Sequence, residues 1–199
     1  MISIIVKGES VKTLIKSYQQ TAAKWGGVCP VCNRPYQHYG YYSRRTPSSF
    51  GPTFIHRVYC KNCKRSHALL PCFIIPYARV LSSVLEAAIR GICFDTHTQE
   101  ELAELLGVEP TTISCWWRMF RQKAGVMMAA LAERLARSPQ ISDWAKGSFR
   151  TDREMAAKLF SLIDRCRSPG FAYGDFAWLN HLNPYLWVNR KGPTHCPMF

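Results

Sequence analysis

The chain has 199 residues, 47% apolar and 13% aromatic, and its 26 Lys and Arg against 13 Asp and Glu give a formal charge of +13. That composition excludes a disordered or fibrous chain and allows a packed core in one medium domain or several small ones. No uncharged apolar run reaches the roughly 18 residues of a membrane span, and Met1 to Lys7 is too short for a signal peptide, so a cytoplasmic protein with reduced thiols is expected.

In chain order, Ile2 to Val6 has strand character, and Ser10 stands where a helix cap belongs, before the apolar stripe of Val11, Leu14, Ile15 and Tyr18. Gly26-Gly27 ends that helix. Two Cys-x-x-Cys pairs follow, Cys29/Cys32 and Cys60/Cys63, with 27 residues between them. Tyr39 to Arg45 and Thr53 to Tyr59 predict two strands joined by the turn-forming run 46–52. From Val80 to Cys93 the apolar residues recur at helical spacing. Thr98 and Glu101 form a capping pair for a helix through Leu106, Gly107 breaks it, and Pro110 opens a helix to about Gly125. Val126 to Arg137, a segment opened by Thr151/Glu154 and running to about Arg165, and Asp175 to Leu182 predict three more helices. The tail from Asn189 has no periodicity.

The fold class is therefore α+β, mainly α, in four parts: an N-terminal strand and helix (1–26), a zinc ribbon (27–75), a helix-turn-helix domain (76–139) and a helical C-terminal extension (140–199). Their formal charges are +3, +7, 0 and +3, so the ribbon carries most of the excess. Between Ser10 and Leu85 there is no Asp or Glu. A one-signed basic surface attracts a polyanion, nucleic acid above all.

Cys29, Cys32, Cys60 and Cys63 are the expected ligands of one structural Zn²⁺, because two such pairs brought together offer four sulfurs in a tetrahedron and leave no open position for chemistry. The gap between pairs exceeds the usual roughly 15–20 residues, which a long hairpin explains. His67 and Cys72 are competing ligands, and His181, His195 and Cys196 form a weaker candidate group. Cys93 falls on an apolar helix side and suits the core.

Residues 99–118 match the bihelical DNA-binding pattern: small Ala103 lets two helices approach, Gly107 takes the turn, and Leu102, Leu106, Val108, Ile113 and Trp116 point inward. Ile113, Trp116, Trp117 and Phe120 define the buried side of the second helix. Its other side carries Thr111, Thr112, Ser114, Cys115, Arg118, Arg121 and Gln122. Thr112, Ser114, Cys115 and Arg118 are expected at base edges, and Thr111, Arg121 and Lys123 at phosphates. Arg44, Arg45, Lys61, Lys64 and Arg65 of the ribbon would add sequence-independent affinity. Asp95, Glu100, Glu101, Glu104 and Glu109 form a solvated acidic face.

The run Cys60-x2-Cys63-x3-His67-Ala-Leu-Leu-Pro71, preceded by Cys29-x2-Cys32 and Tyr42-Ser-Arg-Arg45 and followed by the bihelical segment, resembles a bacterial family of uncharacterised zinc-ribbon DNA-binding proteins. It is also similar to the N-terminal regions of insertion-sequence transposases. The resemblance, over residues 27 to about 125, implies a Cys₄ zinc and duplex DNA as partner.

The expected function is sequence-specific binding of double-stranded DNA, as a transcriptional regulator or mobile-element accessory. Alternatives are a protein- or RNA-binding adaptor, or a truncated transposase retaining only its DNA-binding part. No enzyme is expected: Asp143, Asp152, Asp164 and Asp175 are scattered outside any strand pattern, and no phosphate loop or nucleophile elbow occurs. No small-molecule substrate is indicated. The apolar helix with Val126, Met127, Ala130, Leu131 and Leu135 either supports a homodimer on a two-fold site or packs on Trp116 and Trp117. The aromatic run Phe171 to Trp187 is expected in the core.

Overall fold

The computed structural model describes residues 2–5, 10–29, 31–45, 52–76, 80–94, 97–135, 150–166, 174–182 and 186. Four strands in one sheet precede most of six helices: β1 (Ile2–Ile4), α1 (Val11–Ala23), β2 (Gln37–Arg45), β3 (Pro52–Cys60), β4 (Arg65–Pro71), α2 (Ser82–Cys93), α3 (Gln99–Leu106), α4 (Pro110–Leu135), α5 (Asp152–Cys166) and α6 (Asp175–Leu182). The α+β, mainly α class holds.

The sheet order is β1-β4-β3-β2, with β2, β3 and β4 antiparallel and β1 parallel to β4, Ile2 opposite Leu69. β4 goes beyond the predicted hairpin. Its Arg-Ser-His-Ala-Leu-Leu-Pro run lacks the clean alternation of a half-buried strand, because Leu69, Leu70 and Pro71 are all buried between neighbouring layers.

α1 begins in the capping box of Ser10 and Thr13. Its Leu14, Tyr18 and Ala22 pack with Ile4, Ile55, Val58, Leu69 and Leu70 into one apolar cluster. Tyr18 also extends the ladder. Its hydroxyl donates to the Leu69 carbonyl at 2.5 Å and accepts from the His56 N–H at 3.1 Å, bridging β3 and β4 one step beyond their last backbone pair, Arg57 with Ala68. Burial raises that phenol well above its ordinary pKa.

A second cluster joins α2 to α6 around Ile89, Leu102, Ile113, Trp116, Phe120, Met127, Leu159, Phe160 and Phe176. Phe120, Phe160 and Phe176 stack at 5.5–6.3 Å between centroids. α5 and α6 are thus part of the same core as the bihelical segment. Phe176 and Trp178 are buried as expected; Phe171, Tyr173, Tyr185 and Trp187 lie outside the described residues.

One predicted boundary is corrected: α4 runs unbroken past Gly125 to Leu135. A mid-helix glycine costs about 1 kcal/mol relative to alanine, whereas Ala124, Met127, Met128 and Leu131 on either side of it all bury into the second cluster. Fully burying even one large side chain is worth about 1.5–3 kcal/mol, so continuity wins. Met127 and Leu131 are therefore committed to this chain's own core.

The two clusters meet at α6. Buried Asn180 donates its amide to the carbonyls of Cys72 (3.0 Å) and Ile74 (2.6 Å), just after β4. Arg90 of α2 pairs with Glu86 and with buried Asp175, and its guanidinium lies 4.1 Å over the Phe160 ring. Among the described residues no helix is long and apolar enough to cross a membrane.

Candidate functional site

The four cysteines sit on two turns of matching design. In the first, Cys29 N–H donates to the Arg34 carbonyl and Asn33 N–H to the Cys29 carbonyl, each at 2.8 Å, and Asn33 adopts φ 55°. In the second, Cys60 pairs with Arg65 as β3 turns into β4, Cys63 N–H approaches the Cys60 sulfur at 3.4 Å, and Lys64 adopts φ 53°. The residue after each second cysteine is left-handed. That reversal tucks both sulfurs of a pair to one side.

Brought together, Cys29 and Cys63 are 3.9 Å apart and Cys32 and Cys60 3.4 Å, and all four sulfurs lie within 4.8 Å of one another. Zn–S bonds of about 2.3 Å in a tetrahedron imply S···S edges of roughly 3.8 Å. The group can hold a metal ion and fits zinc. His67 and Cys72 are not part of it: Cys72 is buried at the end of β4, its N–H on the Ile4 carbonyl, and His67 lies on β4 with its ring 5.4 Å from Tyr36. Two of the four, Cys29 and Cys60, are buried. His181 is in α6, and His195 and Cys196 lie outside the described residues.

The electrostatics suit a cation. Burial raises the Cys29 thiol, yet the N–H groups of Val31 and Cys32 together with the neighbouring Tyr36 and Cys32 side chains bring the pKa down to about 6. Cys63 is pushed up to about 12, first by hydrogen bonding with the Cys32 sulfur and then by burial. With protons alone, one sulfur ionises at its neighbour's expense; a central dication lets all four ionise. The Tyr36 hydroxyl is buried against the Cys29 sulfur, outside hydrogen-bond geometry, and its pKa is raised chiefly by burial and next by that sulfur. It remains a neutral phenol, a donor available to a thiolate.

The ribbon cations fall into two groups. Lys61, Lys64 and Arg65 are exposed at the four-cysteine end, together with Arg34, which was passed over although it stands two residues after Cys32 as Arg65 stands two after Cys63. Arg45 lies at the other end of β3, opposite Pro52, on the order of 25 Å of strand away. Arg44 is partly buried and donates to the Ile75 carbonyl at 2.8 Å, a structural engagement that removes it from the exposed set.

α3 and α4 meet through Gly107, at φ 63°, whose N–H closes on Glu104 while Val108 N–H reaches Ala103. Ala103 is buried as expected. Gly91 of α2 was missed: a Cβ there would meet Leu102 Cδ2 at 2.6 Å, so α2 and α3 approach through a glycine. On α4, Ile113, Trp116 and Phe120 are buried and Trp117 packs beside them. Thr111, Ser114, Arg118, Arg121 and Gln122 are exposed and Thr112 and Cys115 half-buried. Ser114 donates to Gln99 at 2.5 Å, tying the face to the start of α3. Arg118 approaches the Cys115 sulfur at 3.5 Å, and Arg121 pairs with Asp152 of α5 at 2.5 Å.

Lys123 is the correction. Only 5% exposed, its ammonium pushed below its ordinary pKa by burial, it does not lie on the outer face. One residue's rotation on the helix, about 100°, separates it from exposed Gln122. Glu100, Glu101, Glu104 and Glu109 are exposed, Glu101 closing the Thr98 capping box; Asp95 lies outside the described residues.

Residues 29–116 match the model of a domain of unknown function (DUF6431), a span from the first cysteine to the middle of the α4 buried side and under half of the chain. No curated protein matches the chain, and no solved structure does.

Proposed function

We propose that this chain is a sequence-specific double-stranded DNA-binding protein, folded at its ribbon by one structural Zn²⁺ on Cys29, Cys32, Cys60 and Cys63. The observation that carries the reading is the α3–Gly107–α4 unit. Ile113, Trp116 and Phe120 anchor α4 inward, so the N-terminal half of the helix turns Thr111, Thr112, Ser114, Cys115, Arg118 and Gln122 outward. Short hydroxyl donors with one long cation suit base edges in a major groove, and Arg118 suits a guanine. Arg121 is a phosphate contact only if it exchanges Asp152 for DNA.

Lys61, Lys64 and Arg65, with Arg34, supply sequence-independent affinity from the metal end. With four thiolates the metal has no open position, which favours a binding protein over a catalyst. α5 and α6 stack into the same core as α4 through Phe160 and Phe176, which favours an integral C-terminal part over the remnant of a truncated transposase.

Selection of bound duplexes from a random pool, followed by mobility shifts, tests this. A recurring motif is expected, and Arg118→Ala is expected to lose about tenfold or more at one base pair. No enriched motif refutes it, and an unchanged preference in Arg118→Ala removes Arg118 from base readout.

A further inference from the structure

The β2–β3 hairpin presents rings to solvent that neither the metal centre nor the α4 face uses. Tyr39, Tyr41 and Phe54 are 56%, 66% and 44% exposed. They are arranged in two groups on either side of a bulge, where the register shifts between His38 and Tyr41 and Gly40 adopts φ 75°. In one group Tyr41 meets Phe54 edge-on at 5.4 Å and His56 at 6.2 Å. In the other Tyr39 lies 5.4 Å from Tyr59, with the Arg57 guanidinium 5.2 Å from the Tyr39 centroid. Exposed rings gathered on one hairpin, unlike rings scattered singly, mark an interaction surface.

Charge selects the occupant. The rings lie on a segment with no acidic residue from Ser10 to Leu85, between the Lys61/Lys64/Arg65 group at one end of the strand and Arg45 at the other. Aromatic faces flanked by cations along a strand are the arrangement that stacks successive bases while holding the backbone between them. A second copy of the chain would bring the same positive surface against itself. Addition of a foreign strand to β2 is disfavoured by the bulge, which interrupts the free edge.

We propose that the exposed rings of the β2–β3 hairpin, chiefly Tyr39, Tyr41 and Phe54, form a stacking platform for the unpaired bases of a single-stranded nucleic acid. This surface is separate from the α4 face and does not require that α4 reads duplex DNA. Every base has a π face, so little sequence preference is expected, and affinity falls steeply with salt.

The test is fluorescence anisotropy of the full-length protein, carrying its metal, with labelled (dT)12, (rU)12, a 12-base-pair duplex and vesicles containing anionic lipid. The wild type is expected to bind at least one of the two single strands; binding neither overturns the proposal, and the two strands separate DNA from RNA as its source. Tyr39→Leu/Tyr41→Leu is expected to weaken that binding by about tenfold or more, while Tyr39→Phe/Tyr41→Phe, which keeps the rings, stays within about threefold. Metal content and circular dichroism establish that each variant is folded. Full retention in the leucine variant overturns the platform, as does binding to vesicles with none to single strands. Single-strand binding that the leucine variant loses, without a selected duplex motif, refutes the α4 reading and upholds this one; duplex binding with no single-strand binding does the reverse.

Discussion

Neutralising the cations at the metal end tests the proposed split between affinity and sequence choice. Lys61, Lys64 and Arg65 are exposed and close in sequence around the second metal turn, so Lys61→Gln/Lys64→Gln/Arg65→Gln removes three charges from one patch. Each phosphate contact contributes about 0.9 to the slope of log affinity against log salt, so three contacts account for about 2.7. Counted down from 1 M salt, where released counterions contribute nothing, that slope amounts to about 150-fold in affinity at 0.15 M. Arg44 is not counted, because its guanidinium is engaged with Ile75. Arg45, at the far end of the hairpin, should change the slope by at most about 0.9 when replaced by Gln. The assay is binding to a selected duplex and to an unrelated one from 0.05 to 0.4 M salt. Parallel loss on both duplexes with a flatter slope is expected. An unchanged slope, or loss confined to the selected sequence, refutes the assignment of these cations to phosphates.

Elemental analysis of purified protein should find one zinc per chain, and Cys60→Ser or a strong chelator should remove it and lower the melting temperature, since ion binding is part of the ribbon's folding energy; full stability without metal would contradict this. Tyr18→Phe should cost about 2–3 kcal/mol in denaturant unfolding, because it strands the Leu69 carbonyl and the His56 N–H, and a cost below about 0.5 kcal/mol would show the bridge to be incidental. Gly91→Ala should destabilise by about 1–3 kcal/mol through overlap with Leu102. Pairing it with Leu102→Ala should restore part of that loss, and strictly additive costs would argue that the two do not meet.

The four-cysteine cluster was legible from spacing alone, because a Cys-x-x-Cys turn is a local structure and its partner pair need only be brought across by a hairpin. The bihelical segment was legible for a similar reason: Thr98, Glu101, Ala103, Gly107 and Pro110 each act within a turn or two of themselves. β4 was not, since a strand buried on both faces carries no period to detect. The inward position of Lys123 was legible as well: it stands seven residues after buried Trp116, about 20° from it on a regular helix, and its charge rather than its phase argued for the outer face.

What the amino-acid order settles by itself is short-range: the caps, the glycine turn, the cysteine turns and the one-signed charge of residues 10–85. Tertiary structure decides what depends on remote partners. It joins four sulfurs from two turns, sets Lys61, Lys64 and Arg65 apart from Arg45, binds Arg44 to Ile75 and Arg121 to Asp152, and draws α5 and α6 into the core behind α4. Those outcomes rest on contacts between residues tens of positions apart, whose geometry no local periodicity encodes.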